Sequence, residues 1–213
     1  MNRFYNPNIR ENDSAYLLRQ VQELLLIAEH NKSSSPLIYA CLDSRIALEI
    51  LDLNIILHSV NKEERIQIIE NSKPKNGIDR VNKKEGSLKE KYQLFFQAVC
   101  EVLNVNGKFY GFKKSKDIQY RLSTYIHSYY MTNEDLKYNS LLMQNAIKII
   151  KEFEDFIKTA VPVENNSMVI IGTNFKNLPV NDKILFEDWK TSSITYDELK
   201  EKLRLNHSLD IKD

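Results

Sequence analysis

The stretch from Pro36 to Val60 constrains what this chain can fold into more than any other. It is apolar over most of a helical circumference, yet Asp43, Arg45, Glu49, Asp52 and Asn54 interrupt it. A membrane-spanning helix needs about 20 residues with few charges, so this stretch is expected to be a core helix instead. A helix that is apolar almost all round has to be covered by other helices, which places it at the centre of a bundle. Ser35-Pro36 supplies its N-cap and first helical residue. Glycine and proline number only five each in 213 residues. Average usage would give roughly 25 of the two together, so turns are few and long helices are favoured.

The apolar spacing predicts the other helices. The first runs from Asp13–Ser14 to about His30, through Leu17, Leu18, Val21, Leu24, Leu25 and Ala28. A short helix is expected from Lys62 to Asn71, then a break at Lys73-Pro74-Lys75-Asn76-Gly77 and an exposed, partly mobile loop. A third long helix is expected from Ser87 to Leu103, through Tyr92, Phe95, Phe96, Val99 and Val102. The next runs from Ser115 to Met131. Thr132, with Glu134 and Asp135 behind it, reads as the cap of a last long helix ending near Ala160. Beyond Val161-Pro162 the pattern changes. Met168-Val169-Ile170-Ile171 and Ile184-Leu185-Phe186 read as two short strands. Thr195 to Leu205 reads as a closing helix, with Glu198 completing a capping box. The expectation is a mainly α chain: a bundle of four to five long helices at 1–160 and a small strand-strand-helix, α+β appendage at 161–213.

Thirty basic against 29 acidic residues exclude a histone-like chain. Locally, however, residues 61–91 carry nine basic and six acidic groups, and 92–130 carry five and two. Lys108, Lys113, Lys114, Lys116 and Arg121 crowd the start of one helix, where either a polyanion or plain solvent can meet them. Cys41 and Cys100 are too few for a zinc ribbon or a disulfide scaffold and are expected to be reduced and buried. Met1 to Asn12 lacks an apolar export segment, so a cytoplasmic location is expected. His30, His58, His127 and His207 are scattered, without metal-ligand spacing. No phosphate-cradling glycine loop, H-E-x-x-H or G-x-S-x-G occurs. Neither metal nor cofactor is expected.

One helix carries chemistry. With Ile118 at 0°, Leu122, Tyr125, Ile126 and Tyr129 fall within about 80° of it and form an apolar stripe. His127 falls at about 180°, among Tyr120, Ser123, Thr124, Tyr130 and Met131, with Arg121 on the shoulder at about 300°. Tyrosines and methionine are enriched where a partner packs. A lone histidine, by itself, is most simply a surface residue.

Arg121-x5-His127-x-Tyr129 resembles the R-x4–6-H motif of the HEPN superfamily, including the H-x-Y continuation of HEPN toxins. Arg45-Ile46-Ala47-Leu48-Glu49 resembles the R-x-A-L-E run in the corresponding helix of HEPN-like proteins. The resemblance covers residues 1–160. It implies a dimeric helical bundle and a metal-independent endoribonuclease of toxin–antitoxin or phage-defence type. Such cleavage needs a base for the 2′-hydroxyl, charge stabilisation on the phosphate and an acid for the leaving 5′-oxygen. Arginine offers a planar donor fork to phosphate, and an imidazole can take or give a proton near neutrality. Two protomers bring two Arg121 and two His127 to one cleft, supplying acid and base. Tyr120, Thr124 and Ser128 would orient substrate. Tyr129 supports the site and, by its projection, belongs first to the core. Lys113, Lys114 and Lys116 would hold flanking RNA. Arg45 and Glu49, in a polar strip with Asp52, form either an ion pair at the solvent edge or groups lining the cleft. The expected partners are a second copy of the chain, RNA and an antitoxin or other defence-system protein, with no membrane. HEPN nucleases usually carry a polar residue directly after the arginine, where this chain has Leu122. That departure favours the competing reading, a non-catalytic HEPN-like module for dimerisation or for binding RNA or protein.

Overall fold

Asp13 opens the first helix, its carboxylate accepting from the backbone N–H groups of Ala15 at 2.8 Å and Tyr16 at 3.2 Å. The computed structural model describes residues 13–74, 77–104, 110–160 and 175–209. In chain order the helices are α1 (Ser14–Asn31), α2 (Ser35–His58), α3 (Lys62–Ser72), α4 (Gly77–Val102), α5 (Phe112–Ile126), α6 (Leu141–Ala160), α7 (Val180–Lys190) and α8 (Tyr196–Leu209). Short 3₁₀ turns lie at Ser128–Tyr130 and Phe175–Asn177. The described residues are thus mainly α, with no strand among them. None of their helices is long and apolar enough to cross a membrane.

The chain divides into two units, Met1–Asp52 with Gly111–Val169 and Leu53–Tyr110 with Ile170–Asp213. In the first, α5 and α1 both pack on α6. Ser14 Oγ donates to the Ala47 carbonyl at 3.0 Å and fastens the start of α1 to α2. Each helix buries residues at helical spacing: Leu17, Leu18 and Val21 of α1, Leu37, Ala40, Cys41 and Leu48 of α2, Ile118, Leu122 and Tyr125 of α5, and Met143, Ala146, Ile150, Phe153 and Ile157 of α6. Burial pushes the Cys41 thiol up to about 12, which leaves it protonated and unreactive. Cys41 and Cys100 are both free and buried.

In the second unit α4 packs against α3, α7 and α8. Its core joins Ile56, Ile68, Tyr92, Phe95, Phe96, Leu185, Phe186, Leu199 and Leu203. The aromatic rings meet edge to face, Phe95 to Phe186 at 5.0 Å and Tyr92 to Phe96 at 4.9 Å between centroids. Lys91 of α4 donates to the Trp189 carbonyl at 2.9 Å and the Lys190 carbonyl at 2.7 Å, a cation on the carbonyl end of α7. Trp189 Nε1 donates back to the Lys91 carbonyl at 2.8 Å.

Four expectations are corrected. Helix α4 starts at Gly77, ten residues before Ser87, so the charged segment expected as a loop is largely helical. A Cβ on Gly77 would lie 2.2 Å from the Ser72 carbonyl oxygen, and only glycine fits that tight connection from α3. Helix α5 ends at Ile126 instead of Met131. Helix α6 starts at Leu141 instead of Thr132. Thr132 and Asp135 do exchange cap bonds, N–H to Oδ2 at 3.0 Å and N–H to Oγ1 at 3.2 Å, but they close an isolated turn. Ser140 is the working cap, its Oγ accepting from the Met143 N–H at 3.1 Å. Finally, Ile184-Leu185-Phe186 lies inside α7, so the described part of 161–213 is helical and not α+β. A three-residue apolar run has no period of its own and fits a buried helix as well as a strand. The strand expected at Met168–Ile171 lies outside the described residues. The capping box of Thr195 and Glu198 forms as expected, with Thr195 N–H to Glu198 Oε2 at 2.7 Å.

Candidate functional site

Helix α5 is built with two unlike faces. Ser115, Ile118, Leu122 and Tyr125 are buried. Ser115 Oγ donates to Asp52 Oδ1 at 3.1 Å and Gln119 Nε2 to Asp52 Oδ2 at 3.2 Å, tying the first turns of α5 to α2. The opposite face is open. Lys113, Lys116, Tyr120, Thr124 and His127 are all exposed. At 100° per residue they fall within about 80° of one another, along roughly 20 Å of helix. The face thus presents two lysines, a tyrosine, a threonine and an imidazole to solvent.

The helix ends where the chemistry is expected. Ser123 Oγ donates back to the Gln119 carbonyl at 2.7 Å, a bond that competes with the helical ladder. His127 is the C-cap, with φ −93° and ψ 57°, and its N–H reaches the Ser123 carbonyl at 3.2 Å. Its side chain projects into solvent from the last turn. The following 3₁₀ turn folds back, so that the Tyr130 hydroxyl donates to the Thr124 carbonyl at 2.9 Å. Tyr129 is 91% exposed, with its ring perpendicular to that of Tyr130 at 5.6 Å. The projection that put Tyr129 on the apolar stripe therefore fails, because the helix stops three residues before it. Ser128 lies in the 3₁₀ turn between His127 and Tyr129.

Arg121 lies about one and two-thirds turns before His127, about 9 Å along the axis. Its side chain is 34% exposed and already engaged. Nη2 donates to Glu152 Oε2 of α6 at 2.7 Å and pairs with Asp117 Oδ2 at 2.9 Å. Burial works against the guanidinium charge, but the hydrogen bonds and fields of Glu152 and Asp117 outweigh it and raise the pKa above its ordinary value. Lys114 also turns to α6, with Nζ 3.8 Å from Glu152 Oε1 and over the Phe156 ring. Arg45 and Glu49 form the i,i+4 ion pair their spacing predicts, at 2.8 Å. Asp52, the third member of that strip, is buried against Ser115 and Gln119.

The structure thus places Lys113, Lys116, Tyr120, Thr124 and His127 on one open face, and Arg121 and Lys114 on the shoulder beside α6. Sequence reasoning missed Asp117 and Glu152. Asp117 was legible as an i,i+4 partner of Arg121. Glu152 was not, because only the packing of α5 on α6 brings it there. Among the described residues no group of three or more His, Cys, Asp or Glu could hold a metal ion. No protein-family model, no curated protein and no solved structure matches the chain.

Proposed function

We propose that this chain is a metal-independent endoribonuclease of the HEPN kind, of toxin or phage-defence type, acting as a dimer. The observation that carries this reading is the open imidazole of His127 at the end of a lysine- and tyrosine-bearing helix face, with a guanidinium on its shoulder. Lys113 and Lys116 hold RNA backbone, and Tyr120 and Tyr129 offer rings for stacking on unpaired bases. Arg121 grips the scissile phosphate. One His127 takes the 2′-hydroxyl proton, and the oxygen attacks phosphorus. The other His127, from the second protomer, protonates the departing 5′-oxygen. The products are a 2′,3′-cyclic phosphate and a 5′-hydroxyl. Thr124 and Ser128 orient the substrate between them.

A second reading has its own observations. Leu122 is fully buried, and Arg121 is already paired through Nη2 with two carboxylates. Both fit a non-catalytic HEPN-like module that uses this face to dimerise or to dock on RNA or an antitoxin-like protein. One experiment separates the two. Purified parent and Arg121→Ala proteins are incubated with RNA in excess EDTA, and the product ends are identified. The nuclease reading expects cyclic-phosphate ends from the parent and at least about a hundredfold slower cleavage by the variant. RNA that is bound but left intact by the parent selects the module.

A further inference from the structure

The two carboxylates on Arg121 have no part in the chemistry above, yet they take the group expected to hold phosphate. Glu152 and Asp117 reach the same atom, Nη2, at 2.7 and 2.9 Å. The Arg121 Nε is buried without a hydrogen-bond partner. The guanidinium is thus held at one corner and not in the two-nitrogen fork that makes arginine pairs strong. Glu152 also faces Lys114 at 3.8 Å, so it offsets a second cation of the same shoulder. None of these groups is sealed: the side chains of Arg121, Glu152 and Asp117 are 34%, 36% and 60% exposed.

We infer that Glu152 and Asp117 are internal competitors for Arg121, which an RNA phosphate has to displace before it can bind there. The inference rests on the reading of Arg121 as the phosphate-gripping residue. It adds a selection of substrate class. A lone phosphate or mononucleotide gains one contact and loses the two carboxylates. A polynucleotide gains Lys113 and Lys116 as well, along the same helix, and it alone carries enough charge to open the shoulder. Glu152 and Asp117 therefore set affinity and specificity without touching the reacting atoms.

The test uses a fluorescent 2′-O-methyl oligonucleotide, which binds but has no attacking hydroxyl, and follows its anisotropy across a potassium chloride series. Parent, Glu152→Gln and Asp117→Asn proteins are compared, with thermal melting to confirm that each is folded. Freeing a half-exposed ion pair predicts binding about two- to fivefold tighter for E152Q, with a smaller gain for the more exposed Asp117. In the parent the displaced Glu152 takes up a cation that E152Q does not, so the slope of log K against log salt is steeper for the variant. On a cleavable RNA, KM falls by the same factor. Affinity and slope unchanged in E152Q while the parent binds would overturn this inference alone. A parent that binds no oligonucleotide at any salt would overturn it together with the nuclease reading. A parent that binds without cleaving would remove the nuclease and leave the competition to be judged by the anisotropy.

Discussion

A His127→Ala protein is expected to fold as the parent does and to cleave RNA about 10²–10⁴-fold more slowly, the usual contribution of positioned proton transfer. The fold should tolerate the change. His127 caps α5 through its backbone N–H, which alanine retains, and its side chain stands in solvent. Surface substitutions of that kind stay within about 0.5 kcal/mol. RNA affinity should also change little, because Lys113, Lys116 and Arg121 remain. The loss therefore falls on kcat, with KM nearly constant, as expected when an interaction made only in the transition state is removed. Single-turnover cleavage by the two proteins at equal occupancy measures it. Equal rates would remove His127 from the reaction.

Phe186→Ala should destabilise the second unit by about 3–5 kcal/mol, whereas Ile184→Ala should stay within about 0.5 kcal/mol. Phe186 is fully buried, with its ring 5.0 Å from Phe95 and 5.9 Å from Tyr92, so truncation leaves a cavity among aromatic rings. Ile184 is 60% exposed on the same helix. A strand would point residues 184 and 186 to one face and give them similar costs. A helix turns them apart. Chemical denaturation of the two variants, followed by tryptophan fluorescence from Trp189 of the same helix, measures the difference.

That contrast shows where the sequence was legible and where it was not. Helices with a capping side chain and a regular stripe could be read directly. Asp13 before Leu17, Leu18 and Val21, and Thr195 with Glu198, cap helices as expected, whereas α2 begins one residue early, at Ser35 itself, with the Ser34 carbonyl accepting from the Ile38 N–H at 3.2 Å. Two of the failures share one cause: a local signal was satisfied without deciding the larger element. Thr132 and Asp135 make their cap bonds, but no helix follows them. Gly77 looks like a breaker, yet it opens α4, because what it avoids is a clash with Ser72. The charged run after it has no apolar stripe until Val81 and Leu88 meet the core of the second unit. At the site, the outward face of His127 was legible from helical angles alone. The exposure of Tyr129 was not, because the angles assume a helix that ends at Ile126. Glu152 lies 31 residues from Arg121 along the chain, and nothing local links them.

The composite cleft is tested most directly by mixing parent and His127→Ala proteins at constant total concentration, under conditions in which subunits exchange, and following RNA cleavage in excess EDTA. If each active cleft needs an imidazole from both protomers, only pairs of two parent chains cut. An equal mixture then retains about a quarter of the parent activity, as random pairing in a twofold dimer requires. Activity that falls only in proportion to the parent fraction, to about a half in the same mixture, would mean that each chain acts alone. That result would contradict the shared Arg121 and His127 site.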